Sequence, residues 1–554
     1  MTSDPALVDE TGADENENAV TLAQKGKFGV VLERLRVAPA QWQETDEQGH
    51  TVLHWAALWG DTSTVAAGVD ACAAAGVTAD APATNLQTPF MWAAIRGRYE
   101  AARTLLAAKA DARRKDNYGA TPLTLAVQHG HYQLMLLIIA NNDADKLVAD
   151  IDNKGCTAMH WAAYKGDLTA IRLLEYFRAD LDMLDNEKNT PLHRAASNNQ
   201  TAACELLAEL GARLSTEDEK GRTVIDVLAE STSLASKRTA QLLKHVKAGS
   251  SESKDPDLEA AGLMPDARRR VLRRPNPSRW APPCFWFVSV SLSTFAYIMQ
   301  LRVIASINWP YLCTFFELGV FASLVLFAVV NQTNPGIVPS RMKGSSGVEE
   351  ILRAMSLSAP PGLAVPEFDR LCTSTWVLKG LRTKYCTQTK ACVADFDHFC
   401  GWLNVAIGRG NHRPFIMLAA VEVATQIMHL CLCILCMSDQ IKRDGFFDWL
   451  YNVGNEYPAV LALIGLQILT IPMILMLLLQ HLRMIAMNMT TNEMINSYRY
   501  KHFWQETKST TGHNHKFFVN PFDKGGPRKN CIDFWWDRRR SDFGPKKQAC
   551  CQHC

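Results

Sequence analysis

Four long apolar stretches in the second half of this 554-residue chain restrict its fold more than any other feature. They run from Ala281 to Leu301, from Tyr311 to Val330, from Pro414 to Ser438 and from Pro458 to Gln480. A helix of about 20 residues crosses the roughly 30 Å hydrocarbon layer of a bilayer, and a soluble core rarely contains apolar helices of that length. The sequence therefore predicts four transmembrane helices.

The charges around these stretches predict their orientation. Six arginines crowd residues 268–279 before the first stretch, and 13 Lys/Arg stand against 6 Asp/Glu from Leu482 onward. Basic flanks stay on the cytosolic side and attract anionic membrane lipids. We expect both termini in the cytosol. Because the first thirty residues are acidic and lack an apolar core, we expect no cleavable signal peptide.

The first half of the chain repeats a short pattern. Six segments begin with a threonine and follow the form T-P-L-H-x-A-A, the last of them imperfectly. These threonines are Thr51, Thr88, Thr121, Thr157, Thr190 and Thr223, separated by 37, 33, 36, 33 and 33 residues. The period and the pattern resemble ankyrin repeats, which implies helix pairs stacked into a solenoid, since one pair cannot bury its own apolar face. The resemblance covers residues 45–245, with a partial leading unit near residues 19–35.

Three tryptophans follow the histidine position of this pattern, at Trp55, Trp92 and Trp161. Two roles stay open for them, because they either fill the core of the solenoid or line a groove that docks substrate proteins. The histidines of the pattern stand at helix starts, so we assign them a structural role.

A third pattern lies between the second and third apolar stretches. It reads KYCTQTKACVADFDHFCGWLNVAIGRGNHRPF from Lys384 to Phe415 and is centred on DHFC at residues 397–400. This segment resembles the catalytic loop of the DHHC protein S-acyltransferases, with Phe399 in place of a second histidine. The resemblance implies a protein S-palmitoyltransferase of the Golgi or another endomembrane that moves a long-chain acyl group from palmitoyl-CoA to cysteines of cytosol-facing proteins.

Three residues of this segment carry the expected chemistry. Acyl transfer from a thioester needs a nucleophile, a base and a group that orients the base. By the resemblance, Cys400 takes the acyl group, His398 accepts the thiol proton and Asp397 fixes the imidazole tautomer. The acyl-enzyme then yields to a substrate thiol, so the expected scheme is a double displacement.

Shorter motifs around the loop also match the family. T-T-N-E from Thr490 resembles a motif that packs beneath the loop and lets Thr491 hydrogen-bond Asp397, and N-P-F-D from Asn520 resembles a tail motif that steadies the same region. Lys379 and Arg382 keep the spacing of the basic residues in the family's loop, and this resemblance implies that they attract the phosphates of coenzyme A. The residues expected to support the site are Thr491, Glu493, Asn520 and Trp402.

The family braces its loop with two zinc ions, each held by three cysteines and a histidine. Aligned on Cys400, the first ligand set falls on Cys372, Thr375, Tyr385 and Cys392, and the second on Cys386, Thr389, Phe399 and Ala406. Three of eight ligands remain, so we expect no metal and no other prosthetic group. Aromatic packing by Tyr385, Phe399 and Trp402 is expected to replace the metal.

Together these patterns predict an all-α protein, with an amino-terminal ankyrin-repeat solenoid followed by a four-helix transmembrane domain and a cytosolic cysteine-containing catalytic loop. The predicted parts are an acidic segment with a partial leading repeat (1–44), the repeats (45–245), a basic linker (246–280), the transmembrane domain (281–482, with the loop at 370–413) and a basic tail (483–554). Expected partners are cysteine-bearing proteins docked on the repeats, palmitoyl-CoA and lipids, without nucleic acid.

The main alternative is a catalytically inactive membrane scaffold that has lost activity with its zinc ligands. The intact Asp397, His398 and Cys400 argue against this alternative. An ankyrin-bearing ion channel would need more membrane spans than four. Substrate identity, acyl-chain preference, oligomeric state and the role of the terminal Cys550, Cys551 and Cys554 stay open.

Overall fold

The computed structural model describes residues 17–250, 281–341, 346–356, 368–441, 445–508 and 514–536. Two compact units divide the chain: Met1–Arg274 with Met342–Asp369, and Pro275–Arg341 with Arg370–Cys554. The arginine cluster before the first span and the three terminal cysteines lie outside the described residues. The first unit contains the predicted repeats and the second contains the four spans.

The first unit is a stack of paired helices. In chain order they are α1 (Ala19–Gln24), α2 (Phe28–Val37), α3 (Val52–Trp59), α4 (Thr62–Ala74), α5 (Pro89–Arg96), α6 (Tyr99–Ala107), α7 (Pro122–His129), α8 (Tyr132–Ala140), α9 (Ala144–Ala149), α10 (Ala158–Lys165), α11 (Leu168–Tyr176), α12 (Pro191–Ser197), α13 (Thr201–Leu210), α14 (Val224–Glu230) and α15 (Leu234–Ser250). The first helix of each repeat (α3, α5, α7, α10, α12, α14) packs on the next first helix. The predicted solenoid is confirmed.

The repeat pattern explains how each first helix begins. Thr88 and Thr157 accept hydrogen bonds from backbone amides three residues later, which caps the helix amino terminus. His54 closes a similar cap with Thr51 through one ring nitrogen, and its other ring nitrogen lies 3.1 Å from the carbonyl oxygen of Gln87 in the next repeat. Burial lowers the pKa of His54 to about 4, so its ring is neutral and structural at pH 7.

Among its described residues, the second unit has four helices that are long and apolar enough to cross a membrane: Pro282–Asn308, Pro310–Gln332, His412–Gln440 and Pro458–Met487. The first comprises α16 (Ala281–Ala296), a π-helical turn (Tyr297–Leu301) and α17 (Arg302–Asn308), and the second is α18 (Pro310–Gln332). Helix α19 (Ser346–Ser356) follows in the chain but belongs to the first unit, where it packs on α8. The predicted spans are thereby confirmed, with longer bounds.

The remaining helices of the second unit are α20 (His412–Gln440), α21 (Phe446–Glu456), α22 (Pro458–Met487), α23 (Thr491–Asn496) and α24 (Pro527–Trp536). Helix α20 packs on both α18 and α22. Two polar residues of α20 meet α22, where Thr470 donates a hydrogen bond to Gln426 and Gln467 contacts His429. These polar side chains at membrane depth pair with each other between helices, as expected for a bilayer interior.

Short antiparallel strands build the loop between the second and third spans. They are β1 (Ile337–Val338), β2 (Leu371–Cys372), β3 (Val377–Leu378), β4 (Lys384–Cys386), β5 (Ala391–Val393), β6 (His398–Cys400) and β7 (Val405–Ile407). One sheet has the order β1-β5-β4, and β2-β3 and β6-β7 form separate hairpins. A hairpin of β8 (Trp504–Lys508) and β9 (Asn514–Phe518) lies in the tail. The fold is mostly helical, as predicted, but these strands were not foreseen.

Candidate active site

The predicted nucleophile and base share one face of strand β6. Side chains alternate between the two faces of a strand, so His398 and Cys400, two residues apart, point the same way. The intervening Phe399 points to the opposite face and stands across from Ala406 of β7. The spacing D-H-x-C is therefore the spacing that a strand needs to place an imidazole beside a thiol.

Asp397 is buried next to this strand and is held from several sides. Its carboxylate oxygen Oδ2 lies 2.7 Å from Nδ1 of His398, and Oδ1 accepts a hydrogen bond of 2.8 Å from the backbone amide of Thr491. The backbone amide of Asn492 donates to the carbonyl oxygen of Asp397 at 3.0 Å. These contacts fix the carboxylate and, through it, the orientation of the imidazole.

The pKa values of Asp397 and His398 are shifted in opposite directions. Burial alone would raise the pKa of the Asp397 carboxyl, but His412 and His398 hold it well below its usual range. Burial would lower the pKa of His398, yet its hydrogen bonds to Asp397 and Cys400 raise it to about 9. His398 therefore carries a proton at neutral pH and faces Cys400 as an imidazolium.

The T-T-N-E motif supplies the amides that hold Asp397. The Thr490 hydroxyl accepts a hydrogen bond from the Glu493 amide, and the Glu493 carboxylate accepts one from the Thr490 amide, which closes a capping box at the start of α23. This cap directs the amide of Thr491 at Asp397. The contact of Thr491 thus comes from its backbone, and its side-chain hydroxyl has no hydrogen-bond partner among the described residues.

Arg382 lies beneath the site and reaches the same motif. Its guanidinium donates to both carboxylate oxygens of Glu493, at 2.9 and 3.0 Å, and to the side chain and carbonyl of Asn488. It also stacks over the Phe522 ring at 3.8 Å. Because Arg382 is only 8% exposed and fully engaged, its geometry argues against the expected role in binding coenzyme A. Of the predicted basic pair, only Lys379 lies partly exposed.

The tail motif closes the end of the fourth span. The Asn520 side chain donates to the carbonyl of Met487, and the Asn530 side chain donates to that of Ala486 at 2.8 Å. Asn488 in turn donates to the carbonyl of Phe522 at 2.9 Å. The bonds from Asn520 and Asn530 satisfy carbonyls at the carboxyl end of α22, which otherwise lack partners. The tail motif thereby positions the T-T-N-E motif that follows at once.

Two glycines let the loop approach the second span closely. A Cβ atom on Gly410 would lie 2.0 Å from the carbonyl oxygen of Asn334, and one on Gly408 would lie 2.5 Å from that of Pro335. The Asn411 side chain accepts from the Gly408 amide at 3.0 Å and donates to the Ala406 carbonyl at 2.9 Å. The G-x-G-N sequence therefore fastens the β6–β7 hairpin to the turn after α18.

Apolar side chains from the spans surround Cys400, which is itself 8% exposed. Helix α18 contributes Val330 and α22 contributes Ile485. Helix α20 contributes Phe415 and Ile416 to the same cluster. The thiol thus lies where the polar loop meets the apolar interior of the helix bundle.

In this protein, the residues at the eight positions of the family's zinc ligands belong to two clusters of different composition. In the first, the thiols of Cys372 and Cys392 hydrogen-bond, and the Thr375 hydroxyl lies 3.2 Å from the Cys392 sulfur. Two thiols and a hydroxyl do not supply the three cysteines and one histidine of the family site. In the second, Phe399 packs against an apolar cluster of Cys386, Val393, Phe396 and Ala406. Neither donor set fits a zinc ion.

Trp402 does not take part in this packing. It is 57% exposed, and its ring centroid lies 6.4 Å from that of Phe285. The expectation that Trp402 braces the loop is therefore not met. Phe396, which the sequence analysis did not single out, occupies the cluster instead.

Two further histidines flank Asp397 and were missed from the sequence. Nε2 of His412 and Nδ1 of His481 each lie 3.9 Å from a carboxylate oxygen of Asp397. Within the described part of the chain, Asp397, His398 and His481 offer ligand atoms within 4.8 Å of one another. Two of these atoms already share the Asp397–His398 hydrogen bond. The one sequence signal for these two histidines is their position next to the loop, at the start of α20 and near the end of α22.

The three tryptophans of the repeats differ in exposure. Trp92 is 9% exposed, donates from its indole nitrogen to Gln87 at 2.9 Å and stacks edge-on against Trp55 with centroids 5.0 Å apart. Trp55 and Trp161 are partly exposed, and the Trp161 indole donates to Asp152 at 2.9 Å. This geometry gives Trp92 a packing role, whereas Trp55 and Trp161 keep part of their side chains exposed to solvent.

Comparisons with known proteins agree with these features. The family described as DHHC palmitoyltransferase matches residues 366–498, and the ankyrin-repeat family matches residues 21–116, 65–150 and 136–218. Palmitoyltransferase ZDHHC17 of Danio rerio is 26% identical and the match covers 83% of this chain and 84% of that protein. Palmitoyltransferase Hip14 of Drosophila melanogaster is 25% identical over 92% of this chain and 84% of that protein. The chain thus combines ankyrin repeats, four candidate membrane spans and a DHHC palmitoyltransferase domain, and it is similar over most of its length to ankyrin-repeat palmitoyltransferases.

Proposed function

We propose that this protein transfers a long-chain acyl group from palmitoyl-CoA to cysteine thiols of other proteins through an acyl-enzyme at Cys400. The observation that supports this proposal is the chain of contacts from Thr491 to Asp397, His398 and Cys400. Asp397 fixes Nδ1 of the imidazole, which leaves Nε2 to exchange a proton with the thiol. This arrangement meets the requirements of a cysteine nucleophile with an oriented base.

The reaction divides into two thioester exchanges. First, the Cys400 sulfur, whose proton is held by the His398 imidazolium, attacks the carbonyl carbon of palmitoyl-CoA, and the bond from that carbon to the coenzyme A sulfur breaks. The departing coenzyme A thiolate takes the proton from His398, which leaves a neutral imidazole. Then a substrate thiol gives its proton to His398 and attacks the acyl-enzyme carbonyl, and Cys400 leaves as the thiolate beside the His398 imidazolium, which restores the starting state. Each exchange breaks one thioester bond and forms another, and no cofactor is required.

Two regions are proposed to bind the acyl donor. The apolar side chains around Cys400 from α18, α20 and α22 suit a long acyl chain, since an alkyl chain gains roughly 0.8 kcal/mol for each buried methylene group. Lys379, partly exposed on the loop, is proposed to attract the coenzyme A phosphates. Arg382 is left out of this role because Glu493 and Asn488 occupy its guanidinium.

We also propose that the repeats recruit protein substrates and that the catalytic loop works without zinc. Trp55 and Trp161 keep partly exposed surface on the first helices of their repeats, and aromatic side chains frequently anchor protein interfaces. The apolar cluster around Phe399 replaces the second metal position. The basic flanks support cytosolic termini, and a Golgi or other endomembrane location stays a proposal.

The test is acylation of the purified full-length protein with labelled palmitoyl-CoA, with the label mapped by peptide. We expect a hydroxylamine-sensitive thioester at Cys400, and we expect Cys400→Ala to abolish both this thioester and transfer to a protein acceptor. Cys431→Ala is the matched control, since Cys431 is exposed on α20 and has no role in the proposed reaction. It should retain both signals.

A wild-type protein that transfers palmitate without a thioester at Cys400 would overturn the double-displacement mechanism. A protein that neither forms the thioester nor transfers palmitate would favour the inactive scaffold.

A further inference from the structure

Helix α8 differs from its neighbours because it has no polar face. Its six residues from Leu134 to Ile139 are each at most 2% exposed. A helix with one side in water normally carries polar residues on that side, as α6 does with the exposed Glu100. Six consecutive buried residues cover more than a full turn, so chain segments must shield α8 on every side.

Helix α19 supplies part of this shield. It lies in the loop after the second span, yet it packs on α8. Val348 and Leu352 are 1% and 5% exposed and stand four residues apart, on one face of the helix. Glu349 and Glu350 are exposed. The sequence of α19 is therefore amphipathic, and its apolar face is the one that meets the repeats.

A second contact with α8 lies further along the same loop. Phe368 is 9% exposed, and its ring centroid lies 5.2 Å from that of Tyr132 at the start of α8. The Tyr132 hydroxyl donates at 2.9 Å to Asp167, which caps α11. Burial raises the pKa of Tyr176 on α11, and the carboxylate of Glu349 raises it further. Contacts with α8 and α11 thus support the same placement.

The chain connectivity gives this contact a consequence. Residues 342–369 leave the second unit after Arg341 and return to it at Arg370. Strand β2 begins at Leu371, so only two residues separate Phe368 from the first strand that follows residues 342–369. The segment that covers α8 is therefore a continuous part of the same loop that carries Cys400.

We propose that α19 and Phe368 form a strap that couples the repeats to the catalytic loop. While the strap is docked, the chain between a protein held on the repeats and strand β2 is short, which raises the effective concentration of that protein's cysteine at the acyl-enzyme. This proposal rests on the proposed acyltransferase function. It predicts that strap docking speeds transfer to a protein held on the repeats and leaves the acylation of Cys400 itself unchanged.

The test uses the full-length protein with Val348→Asp and Leu352→Asp together, which place charges in the apolar contact. Hydrogen exchange measured by mass spectrometry should rise at least tenfold in peptides that cover residues 132–140. The acceptor is a single-cysteine reporter protein fused to a nanobody raised against the repeats, compared with the same reporter unfused. The advantage of the fused reporter is the ratio of its transfer rate to that of the unfused reporter. We expect this ratio to fall at least fivefold in the variant, while transfer to the unfused reporter stays unchanged.

Glu350→Lys is the matched control, because Glu350 is exposed on the same helix. Phe368→Ala is a milder second variant, and it should lower the fused-reporter advantage in the same direction. The proposal is overturned if exchange in α8 does not rise, if the fused reporter keeps its advantage, or if both variants slow both reporters equally. An unacylated wild-type Cys400 would instead refute the acyltransferase function, while hydrogen exchange would still decide the docking.

Discussion

Asp397 connects the parts of the active site that are far apart in the sequence. Its carboxylate holds His398, receives the amide of Thr491 and lies 3.9 Å from ring nitrogens of His412 and His481. A buried carboxylate with such partners stays ionised and favours the protonated form of the adjacent histidine. The folded protein therefore binds a proton at His398 more tightly than the unfolded chain does.

This proton makes the stability of the protein depend on pH. The pKa of His398 rises from an ordinary 6.5 to about 9 on folding, which corresponds to a contribution of roughly 3 kcal/mol. The contribution is complete below pH 6.5 and is lost as the pH rises through 9. We expect the unfolding temperature of the detergent-solubilised protein to fall between pH 7 and pH 10, measured by differential scanning fluorimetry.

His398→Gln separates this effect from other groups that titrate in the same range. The variant cannot bind the proton, so its unfolding temperature should fall less over the same pH interval. Asp397→Asn should behave similarly, because it removes the charge that holds the proton. Equal pH dependence in all three proteins would show that His398 is not protonated in the folded state at pH 7.

At the scale of elements, we expect apolar packing to stabilise the β6–β7 hairpin at the position of the family's second metal. Phe399 lies against Cys386, Val393, Phe396 and Ala406. Truncation of a buried phenylalanine costs about 3–5 kcal/mol, and because Phe399 is only partly buried we expect about 2 kcal/mol for Phe399→Ala. The unfolding temperature should drop in this variant, whereas treatment of the wild type with a zinc chelator should leave it unchanged.

Trp402→Ala is the matched aromatic control, since Trp402 is 57% exposed and belongs to the same hairpin. Its unfolding temperature should stay within about a degree of the wild type, because exposed substitutions usually change stability by less than about 0.5 kcal/mol. A chelator-induced fall in the wild type, together with zinc in its elemental analysis, would contradict the metal-free loop.

The sequence predicted those elements whose signal is local. The threonine period and the apolar lengths each depend on residues near one another, and they located the repeats and all four spans. The strands of the loop have two or three residues each and are too short to show an alternating pattern. Arg382 was misassigned because its partner Glu493 lies 111 residues away, and no local pattern indicates such a pair.

The same limit applies to the whole molecule. The sequence places the three predicted catalytic residues, Asp397, His398 and Cys400, within four positions of the chain, but residues 342–369 were predicted to belong to the transmembrane domain by position alone. The structure groups them with the repeats, because the apolar face of α19 matches the apolar surface of α8. Tertiary packing between distant segments decided this assignment, and periodicity within each segment does not reveal it.

The repeats and the membrane helices have separable tasks in the proposed function, and the tryptophans test that separation. Trp55 and Trp161 are partly exposed at the pattern's tryptophan position, so Trp55→Ala with Trp161→Ala should weaken the docking of protein substrates. The acylation of Cys400 by palmitoyl-CoA should not change, because the apolar cluster around the thiol belongs to the second unit. Loss of one aromatic anchor commonly costs 1 kcal/mol or more, so we expect acylation of docked substrates to fall about fivefold or further.

The measurement is quantitative acyl exchange in cells that lack the protein and re-express each variant. Proteins whose acylation disappears with Cys400→Ala define the substrates, and the double tryptophan variant should lower acylation in that set. Trp59→Ala is the matched control, since Trp59 is 38% exposed at the end of α3 and lies outside the pattern. If Trp59→Ala lowers the same acylation equally, or if the double variant lowers none of it, the tryptophans do not dock substrates. The repeats would then act through another surface.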